Sequence, residues 1–263
     1  MGFSTLYTMT QTDACRKHKL RREFMGKIKE LKWNLKKALL FGFFYFSNNI
    51  LKYPLSNPED AFFGDVDTVI HAGAHLGEER IYYFKSNLSV YWIEANPYIF
   101  KKLKNNLRFY RSQFPIQATL SDLSGQNVEF KISNSTSASS TLDFEDLEVT
   151  PTHKHIRTIT TVTSNLADLI ENKTILLGKK NLLLCDTQGT ELEVIKGAGR
   201  HLSKFDYVIA EAQDYSLYKN QSLSEEIESY LSHKGFSLIK KEIWASNVTK
   251  SKNCYELVFK RNP

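Results

Sequence analysis

With 263 residues, 41% of them hydrophobic and 24% charged, the chain has room for one α/β domain with an appendage, and its composition excludes wholesale disorder, a collagen repeat and a multi-span membrane protein. Three widely spaced cysteines (Cys15, Cys185, Cys254) form no C-x-x-C pair, which disfavours a structural zinc site or a disulfide framework and makes a reducing cytosol the expected setting. The net charge of +6 is uneven: residues 1–56 hold 11 Lys/Arg against 3 Asp/Glu and the remainder 24 against 26, so the basic face of a dedicated nucleic-acid binder is not expected on the main domain.

The first dozen residues show no apolar period and are expected to fray. A basic helix is expected over 16–46, charged from Arg16 to Lys37 and apolar from Leu39 to Phe46. Its apolar run is about half the roughly 20 residues that a bilayer span needs. Two roles stay open for it. It can cap the main domain with its aromatic end, or lie in a membrane interface with its lysines on anionic headgroups, which would put the protein at the inner face of a membrane. The expected partition is a basic helical extension over 1–56 and a main domain over 57–263.

From Asp65 onward strand and helix signals alternate, the pattern of a mostly parallel, doubly wound sheet. Strands are expected at 68–72, 90–94, 116–120, 181–186 and 207–211, with helices at 77–85, 97–109, 166–172 and 191–197. Pro97 suits a first helical turn, where its missing N–H costs nothing. A helix over 224–233 is stopped by Gly235, and late strands follow at 236–242 and 255–260. Residues 126–163 break the rhythm. Strand-like pieces at 128–132 and 158–162 flank a Ser/Thr-rich stretch, read as an insertion over one end of the sheet.

The chemistry-bearing residues sit at strand ends. Thr68-Val-Ile-His-Ala-Gly-Ala-His-Leu-Gly77 runs a buried strand into small residues and then a helix, letting a ligand approach the backbone. Its G-x-x-x-G spacing is neither a dinucleotide fingerprint nor a P-loop. Glu94 ends the second strand 21 residues after Gly73, where a carboxylate can accept both hydroxyls of a ribose. The alternative is a solvated strand end. Asp122, in Leu120-Ser-Asp122, can accept from an adenine amino group or simply start a turn. Asp186 ends the fourth strand and Glu211 lies at the end of the fifth. With Glu191 they are candidates for general base, substrate anchor or divalent-metal ligands, although no metal is predicted, and Asp186 can also serve as a helix N-terminal carboxylate. His153 and His155 make an H-x-H pair in a polar loop, which is not read as a metal site.

These blocks, in this order, resemble the FkbM family of S-adenosylmethionine-dependent methyltransferases over about residues 66–242. The Asp-x-x-Gly-x-Glu-Leu-x-Val-Ile-x-Gly-Ala run from Asp186 to Ala198 is the most distinctive part. The resemblance implies a Rossmann-like class I methyltransferase fold with an antiparallel C-terminal strand, S-adenosyl-L-methionine as cofactor, and methylation of hydroxyl oxygens on sugars, glycans or other small molecules. It implies that Gly73, Ala74, His75 and Gly77 border the methionine end of the cofactor, that Glu94, with Ala95 beside it, holds the ribose, and that Ser121 and Asp122 approach the adenine. Many members carry Asp where this chain has His71, which can bond the cofactor as a neutral imidazole or be a satisfied core histidine.

Methyl transfer to oxygen needs alignment and a base for the hydroxyl proton. The first choice for that base is Asp186, the second His75. Ser139, Ser140 and Thr141 in the insertion suit an acceptor pocket or a solvated loop, and Gln188, Glu191 and Glu211 are further acceptor contacts. Two rivals remain. RNA 2′-O-methylation predicts a basic track beside Asp186, and a non-catalytic cofactor-binding scaffold predicts a dispensable Asp186.

Overall fold

The computed structural model describes residues 64–145, 153–247 and 252–263, so the basic helix expected over 16–46 lies outside the described residues. Among the described residues no helix is long and apolar enough to cross a membrane. The elements in chain order are β1 (Thr68–Ala72), α1 (Arg80–Lys85), β2 (Ser89–Glu94), α2 (Pro97–Leu107), β3 (Gln113–Gln117), β4 (Thr119–Leu120), β5 (Asn127–Ser133), β6 (His155–Ser164), α3 (Leu166–Glu171), β7 (Asn181–Cys185), α4 (Glu191–Lys196), β8 (Tyr207–Gln213), α5 (Ser224–His233), β9 (Phe236–Asn247) and β10 (Lys252–Arg261).

Seven strands form one sheet in the order β3-β2-β1-β7-β8-β10-β9. The pairs β1–β2, β1–β7, β2–β3 and β7–β8 are parallel. Strand β10 runs antiparallel to both β8 and β9 and is the one reversed strand, as the resemblance implies. Strands β1 and β7 are buried at all five positions, as parallel strands covered on both faces must be. Because residues alternate across a strand, Ile70, Ala72, Leu183, Cys185, Val208 and Ala210 pack one face against Leu166, Val194, Ile195 and Ile227. The opposite face carries His71 and Trp92, stacked at 4.7 Å, with Tyr83 of α1 packed 5.2 Å from Trp92.

Several boundaries move for identifiable reasons. Helix α1 starts at Arg80 rather than at 77, because Gly77 sits at φ +67°, outside any right-handed helix, and closes a turn onto the Ala74 carbonyl at 2.9 Å. Helix α2 starts where expected: Pro97 takes the first position, and the Asn96 side chain caps the Tyr98 and Ile99 N–H groups. The strand expected at 116–120 divides in two. Residues 113–117 pair with β2 as an edge strand, the position that tolerates Pro115. After Ala118 the chain leaves the sheet, and Thr119 and Leu120 pair with β6 instead.

Strands β5 and β6 of the insertion form a small sheet with β4, in the order β4-β6-β5, and pair antiparallel from Asn127↔Val162 to Ser133↔His155. A single 3₁₀ turn follows β5 at Thr136–Ala138.

Trp92 is completely buried where α1, β1 and β2 meet and donates its indole N–H to Gln113 Oε1 at 3.1 Å. Trp92→Ala is expected to lower the stability of the folded state by about 3–5 kcal/mol, read as a fall in the urea midpoint at unchanged slope.

Candidate active site

The strand order reverses between β1 and β7, and ligands of open α/β sheets bind outside the carboxyl ends of the strands at such a point. Here the two strand ends nearly touch. A Cβ built on Gly73 would lie 1.8 Å from the Asp186 carbonyl oxygen, and Gly73 has φ +84°, so only glycine fits. The Gly73 and Ala74 N–H groups both donate to the Ile93 carbonyl at 3.0 Å, which turns the loop after β1 across the end of β2.

A crevice opens above this junction, between the strand ends and the insertion. Gly73, His75, Glu94, Ala95, Asp186, Gln188, Ser139 and Thr141 all line it. The remaining predicted residues lie elsewhere. His71 is a core side chain: it stacks on Trp92 and bonds the Tyr83 hydroxyl at 3.3 Å through Nδ1. Ala74 is buried, its N–H spent on Ile93. Gly77 faces α2, where a Cβ would meet Leu103 at 2.8 Å. Ser121 donates to Asp122 at 3.1 Å, and Asp122 points to solvent. Ser140 is buried and donates to the Gln188 carbonyl at 2.7 Å, fastening the insertion to the loop after β7. Glu211 sits in β8 opposite Glu256 of β10.

Glu191 is 3% exposed and accepts the N–H groups of Thr187 at 2.7 Å and Gly189 at 3.0 Å. It staples the loop after β7 instead of reaching the crevice. Burial pushes its pKa up to about 7, against those backbone bonds.

Glu94 is built differently. One carboxylate oxygen accepts the His75 N–H at 2.8 Å and the other the Asn96 N–H at 2.7 Å, so each oxygen keeps acceptor capacity toward the crevice. Burial raises its pKa to about 7, with the two backbone donors opposing. His75 lies at φ +43° and Gln188 at φ +58°, a left-handed conformation that costs a non-glycine residue about 1–2 kcal/mol. Both strained residues line the crevice, and strain of this kind concentrates at functional sites. The His75 ring is held at both nitrogens, by Glu78 at Nδ1 and by Thr136 of the insertion at Nε2, each at 2.9 Å. Burial depresses the His75 pKa, but the Glu78 bond and the charges of Glu78, Glu94 and Asp186 outweigh it and leave the ring above the ordinary imidazole value.

The insertion is tied down at a further point, where Arg157 donates to the Tyr98 hydroxyl and lies over its ring. Sequence reasoning did not single out Glu78, Thr136, Ser137, Thr187, Thr190 or Tyr218. The Ser/Thr richness of the insertion was the available signal for Thr136 and Ser137; for Tyr218 there was none. Among the described residues no group of three or more His, Cys, Asp or Glu is placed to hold a metal ion. His153 and His155 pack against Phe144, with ring centroids 5.8 and 4.6 Å away.

The family model of the methyltransferase FkbM domain matches residues 71–238. Among solved structures, TrmK of M. capricolum in complex with S-adenosyl-homocysteine is 12% identical, with 80% of this chain and 70% of that one covered at a TM-score of 0.43. Magnesium protoporphyrin IX methyltransferase of Synechocystis PCC 6803 with bound SAM is 11% identical, covering 78% of each chain at 0.41. Fibrillarin of Aeropyrum pernix with S-adenosyl-L-methionine is 10% identical, covering 74% of this chain and 66% of that one at 0.43. Comparison with the curated proteins finds no match.

Burial lowers the His71 pKa to about 4, with the charges of Asp186 and Glu78 opposing, so the ring is neutral in the folded protein. Acidification therefore favours the unfolded chain: the stability due to a neutral His71 is complete above pH 6.5 and is lost as pH falls toward 4. Glu94 and Glu191, with raised values, act in the opposite sense between pH 7 and about 4.5, so the His71 contribution must be read as a difference. The stability advantage of wild type over His71→Leu is expected to shrink by about 2–3 kcal/mol between pH 7 and pH 4.5 in urea titrations.

Proposed function

The chain belongs to the FkbM methyltransferase family, and on that premise we propose that it transfers a methyl group from S-adenosylmethionine to a hydroxyl of a neutral, polyhydroxylated acceptor, a sugar or glycan. The observation that carries the acceptor class is the lining of the crevice. The insertion contributes Thr136, Ser137, Ser139 and Thr141, the loop after β7 contributes Thr187, Gln188 and Thr190, and among the described lining residues there is no lysine or arginine. Such a wall exchanges hydrogen bonds with a polyol, whereas phosphates call for cationic side chains. The basic track that RNA 2′-O-methylation calls for is not found among the described lining residues.

The residues present fit S-adenosylmethionine. Gly73 exposes backbone at the crevice floor, and Glu94 offers one free acceptor direction on each oxygen, a match for two ribose hydroxyls. When bound, the cofactor supplies an electrophilic methyl on a sulfonium, which passes to the acceptor oxygen as the carbon–sulfur bond breaks. Asp186 takes the proton leaving the acceptor hydroxyl. His75, held at both ring nitrogens, keeps the loop after β1 and the insertion in register on either side of the reacting groups. Closing the crevice from above, the insertion limits water and fixes the acceptor, the main requirement of an in-line displacement. The basic stretch over 16–46 extends the same reading to an anionic membrane face, to be checked by sedimentation with phosphatidylserine vesicles.

Three results are expected. Calorimetry should show S-adenosylmethionine binding that is lost in Glu94→Ala and about tenfold tighter at pH 8 than at pH 6, because the ribose hydroxyls bond the ionised Glu94. Asp186→Asn should keep that affinity and lower kcat by roughly 10²–10⁴-fold. With radiolabelled cofactor, methyl glycosides and neutral oligosaccharides should accept label and a short RNA should not. Transfer to RNA alone would overturn the acceptor class, and a folded protein that binds no cofactor would move the scaffold reading to first place.

A further inference from the structure

The Asp186 side chain does not stand alone in the crevice. Its Oδ1 accepts from Gln188 Nε2 at 2.6 Å, and Gln188 Oε1 accepts from the Tyr218 hydroxyl at 2.9 Å. An ionised carboxylate only accepts, so the Gln188 amide must turn its nitrogen toward Asp186, leaving its oxygen for a donor. Tyr218 is the donor that occupies that place. It is 1% exposed, does not line the crevice, and packs its ring on Phe144 at 5.2 Å. Burial, followed by the charges of Glu191, Glu211 and Asp186, pushes the phenol pKa far up, so the hydroxyl keeps its proton and remains a donor at every working pH. The Gln188 backbone is fixed too: it holds φ +58°, and its carbonyl accepts from Ser140.

We propose that Tyr218 is a positioning residue for methyl transfer, acting through the Gln188 amide to lock the Asp186 carboxylate with Oδ1 occupied and Oδ2 turned to the acceptor hydroxyl. The proposal rests on Asp186 being the base that takes the acceptor proton. An unrestrained aspartate samples several rotamers, and a base must meet its proton within hydrogen-bond reach in one geometry. No proton travels along the chain of bonds: the acceptor O–H breaks, its proton stays on Asp186, and Gln188 and Tyr218 keep theirs. Without the phenol, the Gln188 amide keeps only its bond to Asp186, loses the second point that holds it in place, and can follow the carboxylate through its rotamers.

The Tyr218→Phe variant removes one oxygen and leaves the ring in its stack. It is expected to lower kcat on the accepting glycoside by on the order of 10- to 100-fold, with the KM for acceptor and the affinity for S-adenosylmethionine unchanged within about twofold. In a Gln188→Met background, which keeps the side-chain length and removes the amide, Tyr218→Phe should have no further effect on kcat, because a residue acting only through Gln188 is silent once Gln188 is gone. A packing role would instead give additive losses in the two backgrounds, and that result sinks the relay. A second readout needs no turnover. In ¹⁵N-labelled protein with S-adenosylhomocysteine added, a Gln188 side-chain amide proton should be shifted downfield and protected from exchange, and should lose both features in Tyr218→Phe and in Asp186→Asn. An amide signal unchanged in Tyr218→Phe overturns the relay whatever the kinetics show. Cofactor binding with the amide signature intact but an Asp186→Asn variant as active as wild type would overturn instead the assignment of Asp186 as base.

Discussion

The site exists because two strand ends come closer than side chains allow. Gly73 has no Cβ, and the Asp186 carbonyl occupies the volume one would fill. This approach lets β1 and β7 pair in parallel up to Ala72↔Cys185 and then diverge, one chain turning toward α1 and the other toward α4. The crevice opens at that divergence. The left-handed backbone of His75 and the fixed orientation of the Asp186 loop follow from the same junction, since both chains must leave it within two or three residues.

Around the junction His71, Glu191 and Glu94 are buried with different consequences. His71 is kept neutral in an aromatic stack, so its cost appears only on acidification. Glu191 is buried and holds its own loop through the Thr187 and Gly189 N–H groups, away from the crevice lining. Glu94 is also buried and takes one backbone donor on each oxygen, but it lines the crevice. Burial sets the pKa values of both glutamates near 7. What separates the two carboxylates here is position: one lines the crevice and the other lies behind it.

The insertion turns an open crevice into a bounded one. It reaches the loop after β1 through Thr136–His75, the loop after β7 through Ser140–Gln188, and the start of α2 through Arg157–Tyr98. Its inner surface is hydroxyl-rich and free of cationic side chains among the described lining residues.

Much of this was legible in the sequence. Largely apolar runs at Thr68–Ala72 and Asn181–Cys185 point to buried parallel strands, glycines mark the close approach, and the positions of Glu94 and Asp186 follow directly from their strands, because a residue at the carboxyl end of a parallel strand has one place to be. The strand at 116–120 was misjudged because an apolar pattern records burial and does not record which sheet supplies the partner. Asp122, Glu191 and Glu211 looked like site carboxylates because spacing cannot say where a side chain's acceptors are spent. His71 was undecided for the same reason: only its stack on Trp92 and its bond to Tyr83 place it in the core. The sequence alone thus determined most of the order of elements, the family and the placing of Glu94 and Asp186 at strand ends, all consequences of local pattern. The tertiary structure decided which polar groups are free and that Tyr218, from 32 residues downstream, stands behind Asp186, because hydrogen-bond partners are set by proximity in space, which no period in a single chain encodes.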